Sequence, residues 1–300
     1  MIILDGKKAR EHYFPILKNR VKELGYIPKL AIVQVGERED SNAYIKAKKS
    51  FAEKIGVEVL HNKFDENAKQ DEVIDIINKL NDDSDVSGII VQLPLPSNFD
   101  SLKIINSISI KKDADGLVEN SKVMPATARG IKELLKFYDV DFFGKKVTVF
   151  GRSKIVGSPT AKMFEEEGSM VTVCHSKTEN NKEKAKDAEI LVIAIGKPKL
   201  IDSSYVSKDQ IVVDVGITPI IIEKMKVKNN IVSSLTIDLV EGVCSSQFYN
   251  SENNLLKIYS ILNILLTVLE TTVNNAESVC NTINGQLKGL TFEGKTEPGK

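Results

Sequence analysis

The sequence predicts an α/β protein of two lobes, each built on a mainly parallel sheet, and three observations carry that reading. Short apolar runs alternate with amphipathic helical segments, and strands separated by helices of this length need right-handed crossovers, which give parallel sheets covered on both faces. The alternation occurs twice, over residues 30–93 and again over residues 146–215. The 300 residues also exceed the usual size of a single core, so two bodies with a core each are expected.

In residues 9–24 the apolar Tyr13, Ile16, Leu17, Val21 and Leu24 recur at helical spacing, and Gly25 with Pro28 closes the segment. Residues 30–35 (Leu-Ala-Ile-Val-Gln-Val) read as a strand, a helix begins at Ser41 and runs through Ile55, and residues 57–60 follow Gly56 as a short strand. A helix over 71–80 and a strand over 88–93 complete the first series. After a helix over 130–138 the second series reads strand 146–150, helix 159–167, strand 170–174, helix 181–188, and strands 189–195 and 210–215, an order that looks like a dinucleotide-binding half-sheet. The most apolar segment, 255–269, is interrupted by Lys257, Asn263 and Thr267 and falls short of the ~20 residues of a membrane span, so it reads as a buried helix. The tail 281–300, rich in Gly, Lys and Thr without periodicity, reads as a flexible, solvated extension.

Lys and Arg number 41, as do Asp and Glu, and no long block of like charge occurs, so neither a nucleic acid nor an anionic membrane is indicated as partner. A small molecule is the expected ligand. The three cysteines, Cys174, Cys244 and Cys280, are odd in number and contain no Cys-x-x-Cys pair, which suits a reducing compartment and gives no metal site. The start, Met1-Ile-Ile-Leu-Asp5, has neither the pattern of a secretory signal nor that of a transit peptide, and a cytoplasmic location is the expectation.

The strand at 146–150 runs into Gly151-Arg152-Ser153-Lys154-Ile155-Val156-Gly157, and a helix opens with Pro159 in its first turn. Glycines let a backbone approach a pyrophosphate, and a helix N-terminus offers N–H groups and positive dipole to it. Ser153 stands where a second glycine would be and Gly157 comes one residue late, so a plain strand-to-helix turn is the competing reading. The following strand ends in Cys174-His175-Ser176-Lys177, without the acid that binds a ribose 2′-hydroxyl in NAD-specific folds. Ser176, Lys177 and Arg152 suit a 2′-phosphate instead, which favours NADP; exposed polar residues after a strand are the alternative. One imidazole at a strand end is more often structural, and His175 is left out of catalysis.

Three fragments of the first lobe carry polar residues that the fold alone does not require. In Ser41-Asn-Ala-Tyr44-Ile-Lys-Ala-Lys48, Tyr44 and Lys48 are four apart and share a helical face, an aromatic surface beside an amine; Lys46, Lys48 and Lys49 equally fit a solvated face. Gln92-Leu-Pro-Leu-Pro96 lies at the carboxyl end of a strand, where open α/β sheets gather ligands, although its prolines also suffice to end the strand. Lys112-Asp-Ala-Asp115-Gly116 reads as an Asx-rich turn, and not as a calcium loop, since Val118 occupies the position that needs glycine.

Taken together, in order and spacing, these fragments resemble the methylenetetrahydrofolate dehydrogenase/cyclohydrolase family, with its Ser-x-x-Tyr-x-x-x-Lys, Val-Gln-Leu-Pro-Leu-Pro and Lys-Asp-Val-Asp-Gly signatures. Pro125-Ala-Thr-Ala-Arg-Gly130, Gly151 to Gly157, Cys174-His-Ser176, Gly196-Lys-Pro198 and Asp214-Val-Gly-Ile217 extend the likeness, which runs from Leu4 to about Ile217. The resemblance implies oxidation of methylenetetrahydrofolate with NADP and hydrolysis of the methenyl product to formyltetrahydrofolate. It implies Lys48 as general acid/base of the hydrolysis, Gln92 as its hydrogen-bonding partner, Tyr44 against the aminobenzoyl ring and Asp115 on the pterin edge. For the cofactor it implicates Gly151, Arg152, Ser153, Ser176 and Ile217, to which the reading of the turn adds Gly157. It also implies a homodimer and a division into a catalytic, folate-binding domain (1–124, completed by a helix at 255–279) and an NADP-binding Rossmann domain (125–254). Two other readings stand beside it: a different NADP-linked dehydrogenase, which leaves Tyr44, Lys48, Gln92 and Asp115 without a role, and a catalytically weakened folate- or nucleotide-binding paralogue.

The family's Thr-Pro-x-Pro-Gly-Gly-Val-Gly-Pro loop has no counterpart here: between Gly216 and Gly285 the only glycine is Gly242, and no proline follows Pro219 until Pro298. Either residues 231–254 cover the cleft differently or part of one activity is lost.

Overall fold

A computed structural model describes residues 4–197 and 200–215. Ile217, the segment 231–254, the helix at 255–279 and the tail at 281–300 lie outside the described residues.

The first helix, α1 (Gly6–Glu23), starts three residues before the apolar periodicity, because the Asp5 carboxylate accepts from Lys7 N–H at 2.8 Å and caps it. Then come β1 (Lys29–Val35), α2 (Glu39–Ile55), β2 (Glu58–Phe64), α3 (Gln70–Asp82) and β3 (Val86–Val91). A short helix, α4 (Ser101–Ile105), was not foreseen; its apolar residues are too few to show a period, and Asp100 sets its start by capping Leu102 and Lys103. The strand expected at 57–60 runs on to Phe64, paired along its whole length with β1 from Lys29↔Glu58 to Val35↔Phe64. Its polar His61-Asn62-Lys63 hides the strand in the sequence, and backbone pairing on a sheet edge supplies it.

The three strands form a parallel sheet in the order β2-β1-β3. Alternate residues of β1 feed two cores. Leu30 and Ile32 pack with Leu17, Val21, Phe51 and Ile55 of α1 and α2, while Ala31, Val33 and Val35 pack with Val73 and Ile77 of α3 and with Ile104. Each such fully buried Leu or Ile stabilises the fold by about 1.5–3 kcal/mol.

The second half continues with α5 (Ala126–Phe137), β4 (Lys146–Phe150), α6 (Gly157–Glu166), β5 (Met170–Cys174), α7 (Asn181–Asp187), β6 (Ile190–Ile193) and β7 (Ile211–Asp214). Its four strands are again parallel, in the order β5-β4-β6-β7. The expectation of two parallel-sheet α/β regions therefore holds. Helix α5 links them, since its Ile131, Leu134 and Leu135 share one core with Leu4 and Ala9 on one side and Val147, Val149 and Phe164 on the other. The Tyr138 hydroxyl accepts from Asp5 N–H at 2.8 Å, which ties the end of α5 to the start of α1.

Among the described residues, no helix is long and apolar enough to cross a membrane.

Candidate active and cofactor sites

Both sheet orders reverse direction beside their first strand, β1 in one and β4 in the other, and the carboxyl ends of strands at such switch points open into crevices where α/β sheets hold ligands. Gln92 and Gly151 directly follow strands at these ends, and Lys48 is bonded to Gln92.

At the first, Gln92 follows β3 and is pinned there by its N–H, which donates to Val33 O at 2.8 Å. A cis Leu93–Pro94 peptide bond follows. Lys48 approaches from α2. It is 6% exposed, and its Nζ donates to Gln92 Oε1 at 3.0 Å while Gln92 Nε2 donates to Leu93 O at 2.9 Å. The solvated-face reading thus fails for Lys48, though Lys46 on the same helix is exposed. Burial pushes the Lys48 pKa below its ordinary 10.5, opposed by the charge of Asp115. The Asp115 carboxyl is pushed up by burial, with Lys48 opposing and Asp113 adding to the rise. An amine that loses its proton easily and a carboxyl that gains one easily therefore act on each other within one polar spot. Tyr44 lies one turn before Lys48, half-buried, its hydroxyl held above its usual pKa by burial and by Asp40.

The Asx-turn reading of the next fragment holds for Asp113. Buried at 1% exposure, it accepts with Oδ1 from the N–H groups of Asp115 (3.2 Å), Gly116 (2.9 Å) and Leu117 (3.4 Å), and with Oδ2 from Val118 (3.2 Å). Lys112 Nζ donates to Leu80 O at 2.9 Å and so caps the end of α3. Lys112 and Asp113 thus build the turn, and Asp115 is the residue it delivers toward Lys48. We expect Asp113→Asn, which turns an amide toward Val118 N–H, to lower stability by about 1–3 kcal/mol. A denaturant midpoint unchanged from the parent protein would refute this account of the turn.

At the second switch point, Gly151 has φ +114°, and a Cβ there would lie 2.5 Å from Ala194 O. A Cβ on Gly157 would collide with Gly151 O. The two glycines therefore let the β4–α6 turn fold back on itself and pass close to the end of β6. Ser153 Oγ accepts from the N–H groups of Val156 and Gly157, both at 3.2 Å. Two N–H groups at the helix start thus already have a hydroxyl partner. Arg152 and Ser176 are both exposed and leave adjacent strand ends, since Phe150 pairs with Cys174 and Gly151 N–H donates to Cys174 O at 2.9 Å. Lys154 and Lys177 are exposed on the same two segments. A close backbone turn with cations at its mouth fits the phosphates of NADP. His175 holds its own turn, its N–H donating to Thr178 Oγ1 at 3.0 Å and its Nδ1 accepting from Lys177 N–H at 3.2 Å.

The sequence reading missed a polar group under α2. Gln34 in β1 is 1% exposed; its Nε2 donates to Gly36 O (2.9 Å) and Asn42 Oδ1 (2.7 Å), its Oε1 meets His61 Nε2 (2.8 Å), and His61 Nδ1 meets Lys49 Nζ (2.8 Å). A glutamine inside the otherwise apolar run Leu30–Val35 was the available signal.

Two family patterns match the chain. That of the tetrahydrofolate dehydrogenase/cyclohydrolase catalytic domain covers residues 4–115, and that of the tetrahydrofolate dehydrogenase/cyclohydrolase NAD(P)-binding domain covers residues 125–247. The bifunctional protein FolD of Clostridium beijerinckii is 42% identical over 227 residues, 71% of this chain and 80% of that protein. Its Staphylococcus epidermidis counterpart is 39% identical over 231 residues, 72% of this chain and 80% of its own. Among solved structures, the Campylobacter jejuni FolD methylenetetrahydrofolate dehydrogenase/cyclohydrolase superposes with a TM-score of 0.81 at 30% identity, covering 93% of this chain and 99% of that one. The Trypanosoma brucei methylenetetrahydrofolate dehydrogenase-cyclohydrolase, complexed with NADP and an inhibitor, gives 0.81 at 26% identity, covering 93% and 98%.

Proposed function

Because the chain belongs to the tetrahydrofolate dehydrogenase/cyclohydrolase family, we propose that it oxidises methylenetetrahydrofolate with NADP and hydrolyses the methenyl product to formyltetrahydrofolate. The observation that carries the hydrolytic half is the Lys48–Gln92 contact, a buried amine held by an amide at 3.0 Å. Bound NADP supplies the acceptor for the substrate's hydride. The residues of the chain do the rest.

Gly151 and Gly157 bring backbone close to the pyrophosphate, Ser153 shares the helix start with it, and Arg152 and Ser176 take the 2′-phosphate; Ile217 completes the site. Tyr44 packs against the aminobenzoyl ring and Asp115 hydrogen-bonds the pterin edge, a specific contact because a carboxyl left unpaired in that half-buried place is costly. Neutral Lys48 takes a proton from the water that attacks the bridging carbon, and its ammonium returns a proton to the nitrogen that leaves when the ring opens. Burial and a cationic substrate both favour the neutral amine that the first step needs. Gln92 Oε1 fixes the direction of the Lys48 Nζ.

The proposal includes a catalytic domain at 1–124 completed by a helix at 255–279, an NADP-binding domain at 125–254, a homodimer and a cytoplasmic location. Supporting these are the family likeness and, for the division, the two separate sheets. The test is purified protein given methylenetetrahydrofolate and NADP, followed at the absorbances of NADPH and of the methenyl product. NADPH formation with transient methenyl product is expected; folate binding without turnover would favour a weakened paralogue. Light scattering should give twice the 33.2 kDa of one chain, and a mass of one chain would remove the dimer.

A further inference from the structure

On the α2-facing side of the first sheet, neighbouring strands carry three polar side chains: His61 in the middle of β2, Gln34 near the end of β1 and Gln92 just after β3. The two consecutive lysines of α2 are each held by one of them. Lys48 donates to Gln92, and Lys49 meets His61.

The protons of this chain of contacts are fixed by its far end. Gly36 O can only accept, so the Gln34 atom beside it at 2.9 Å is the NH₂, which also donates to Asn42 Oδ1. Gln34 Oε1 is then the acceptor facing His61, and His61 carries its proton on Nε2. That leaves His61 Nδ1 with a lone pair, and Lys49 Nζ donates to it at 2.8 Å. Four side chains and one carbonyl thus agree on a single arrangement, and it requires a neutral imidazole.

We propose that His61, oriented by Gln34, is a positioning residue for the hydrolytic reaction: by holding Lys49 it restrains the turn of α2 that carries Lys48 and so refines the aim of Lys48. The inference rests on the assignment of Lys48 as the hydrolytic acid/base. Adjacent residues on a helix project about 100° apart, so Lys48 and Lys49 grip the sheet at two separate places. The apolar face of α2 (Ile45, Phe51, Ala52 and Ile55) seats the helix on the core, and the Lys49–His61 contact adds a directional restraint beside Lys48; displacement of a reacting group by about 1 Å can cost on the order of a hundredfold in rate.

The grip is also sensitive to acid. The groups facing His61 are the ammoniums of Lys49 on α2 and Lys63 on its own strand, and from β1 the uncharged Gln34. Burial and these two cations hold the imidazole below its ordinary 6.5, so it stays neutral at neutral pH. Protonation in acid puts a second N–H opposite the Lys49 donor and breaks the contact.

The experiment compares His61→Phe and His61→Asn with the parent protein, measuring dehydrogenase and cyclohydrolase turnover across pH. Phenylalanine keeps the bulk and loses both contacts. It should lower cyclohydrolase kcat about ten- to hundredfold while leaving dehydrogenase kcat and the folate KM near the parent values. Asparagine keeps an acceptor near the Nδ1 position and cannot be protonated; it should recover most of the rate, keep the pH dependence set by Lys48, and lose only the additional acid-side step expected from the imidazole of the parent. Nitrogen NMR on the labelled full chain, which has three histidines, should show His61 as the Nε2–H form titrating below 6.5. Equal loss of both activities in His61→Phe, or an Nδ1–H form of His61, would overturn the inference while leaving the role of Lys48 intact. Hydrolysis that survives Lys48→Met would instead overturn the reading beneath it.

Discussion

Replacing Lys48 by Met should lower cyclohydrolase turnover by about 10²–10⁴-fold, the range that a positioned general acid or base contributes, while hydride transfer continues. The two half-reactions separate because they need different things. Hydride transfer requires two rings aligned in a dry site, whereas addition of water requires a group that takes up and returns a proton. Methionine keeps the length of the lysine stem and fills the buried space, so the local packing survives. It leaves Gln92 Oε1 without its donor, a cost of about 1–3 kcal/mol that a domain of this size tolerates. In the parent protein the hydrolytic rate should rise with pH through a lysine pKa lying below 10.5, because burial depresses it and the neutral amine is the active form. That rise should vanish in Lys48→Met. If the variant lost both reactions to the same degree, with its fold intact by circular dichroism, Lys48 would be a binding residue and not the proton carrier.

Arg152→Gln should raise the KM for NADP about ten- to hundredfold and leave that for NAD nearly unchanged, since a hydrogen bond to a charged group contributes about 1.5–3 kcal/mol. The side chain is exposed, and what holds the turn at this position is main chain, with Arg152 O accepting from Ser158 Oγ at 3.2 Å. Losing the guanidinium therefore removes charge without removing the turn. The difference between the two cofactors should shrink at high ionic strength, because an exposed ion pair is screened. An unchanged preference would move recognition of the 2′-phosphate to Ser176 and Lys177, and a parallel rise for both cofactors would assign Arg152 to the shared phosphates.

The motifs of the site were legible because chemistry restricts residue type at fixed spacing. Tyr44 and Lys48 lie on one helix by their spacing of four, and Gln92 and Gly151 follow strands whose apolar runs are plain. The Ser153 substitution in the glycine-rich turn was visible, but its meaning was not. Only the folded turn shows a hydroxyl taking the N–H groups of Val156 and Gly157. Asp113 and Asp115 look alike in sequence, and the structure separates them: the first spends its oxygens on four backbone N–H groups, and the second faces Lys48. His61 was missed altogether, because a polar run on an edge strand has no hydrophobic period to mark it.

By itself the sequence determined the two parallel-sheet halves, the family and the residues able to do the chemistry, since period, turn chemistry and motif spacing are properties of the chain within a few residues. Which lysine of the Lys46, Lys48 and Lys49 cluster is buried, which acid builds the turn and which faces the amine, and what holds α2 in place were decided only in the tertiary structure. Burial and hydrogen-bond partners come from residues tens of positions apart, as Lys48 and Gln92 are, and local pattern carries no record of them.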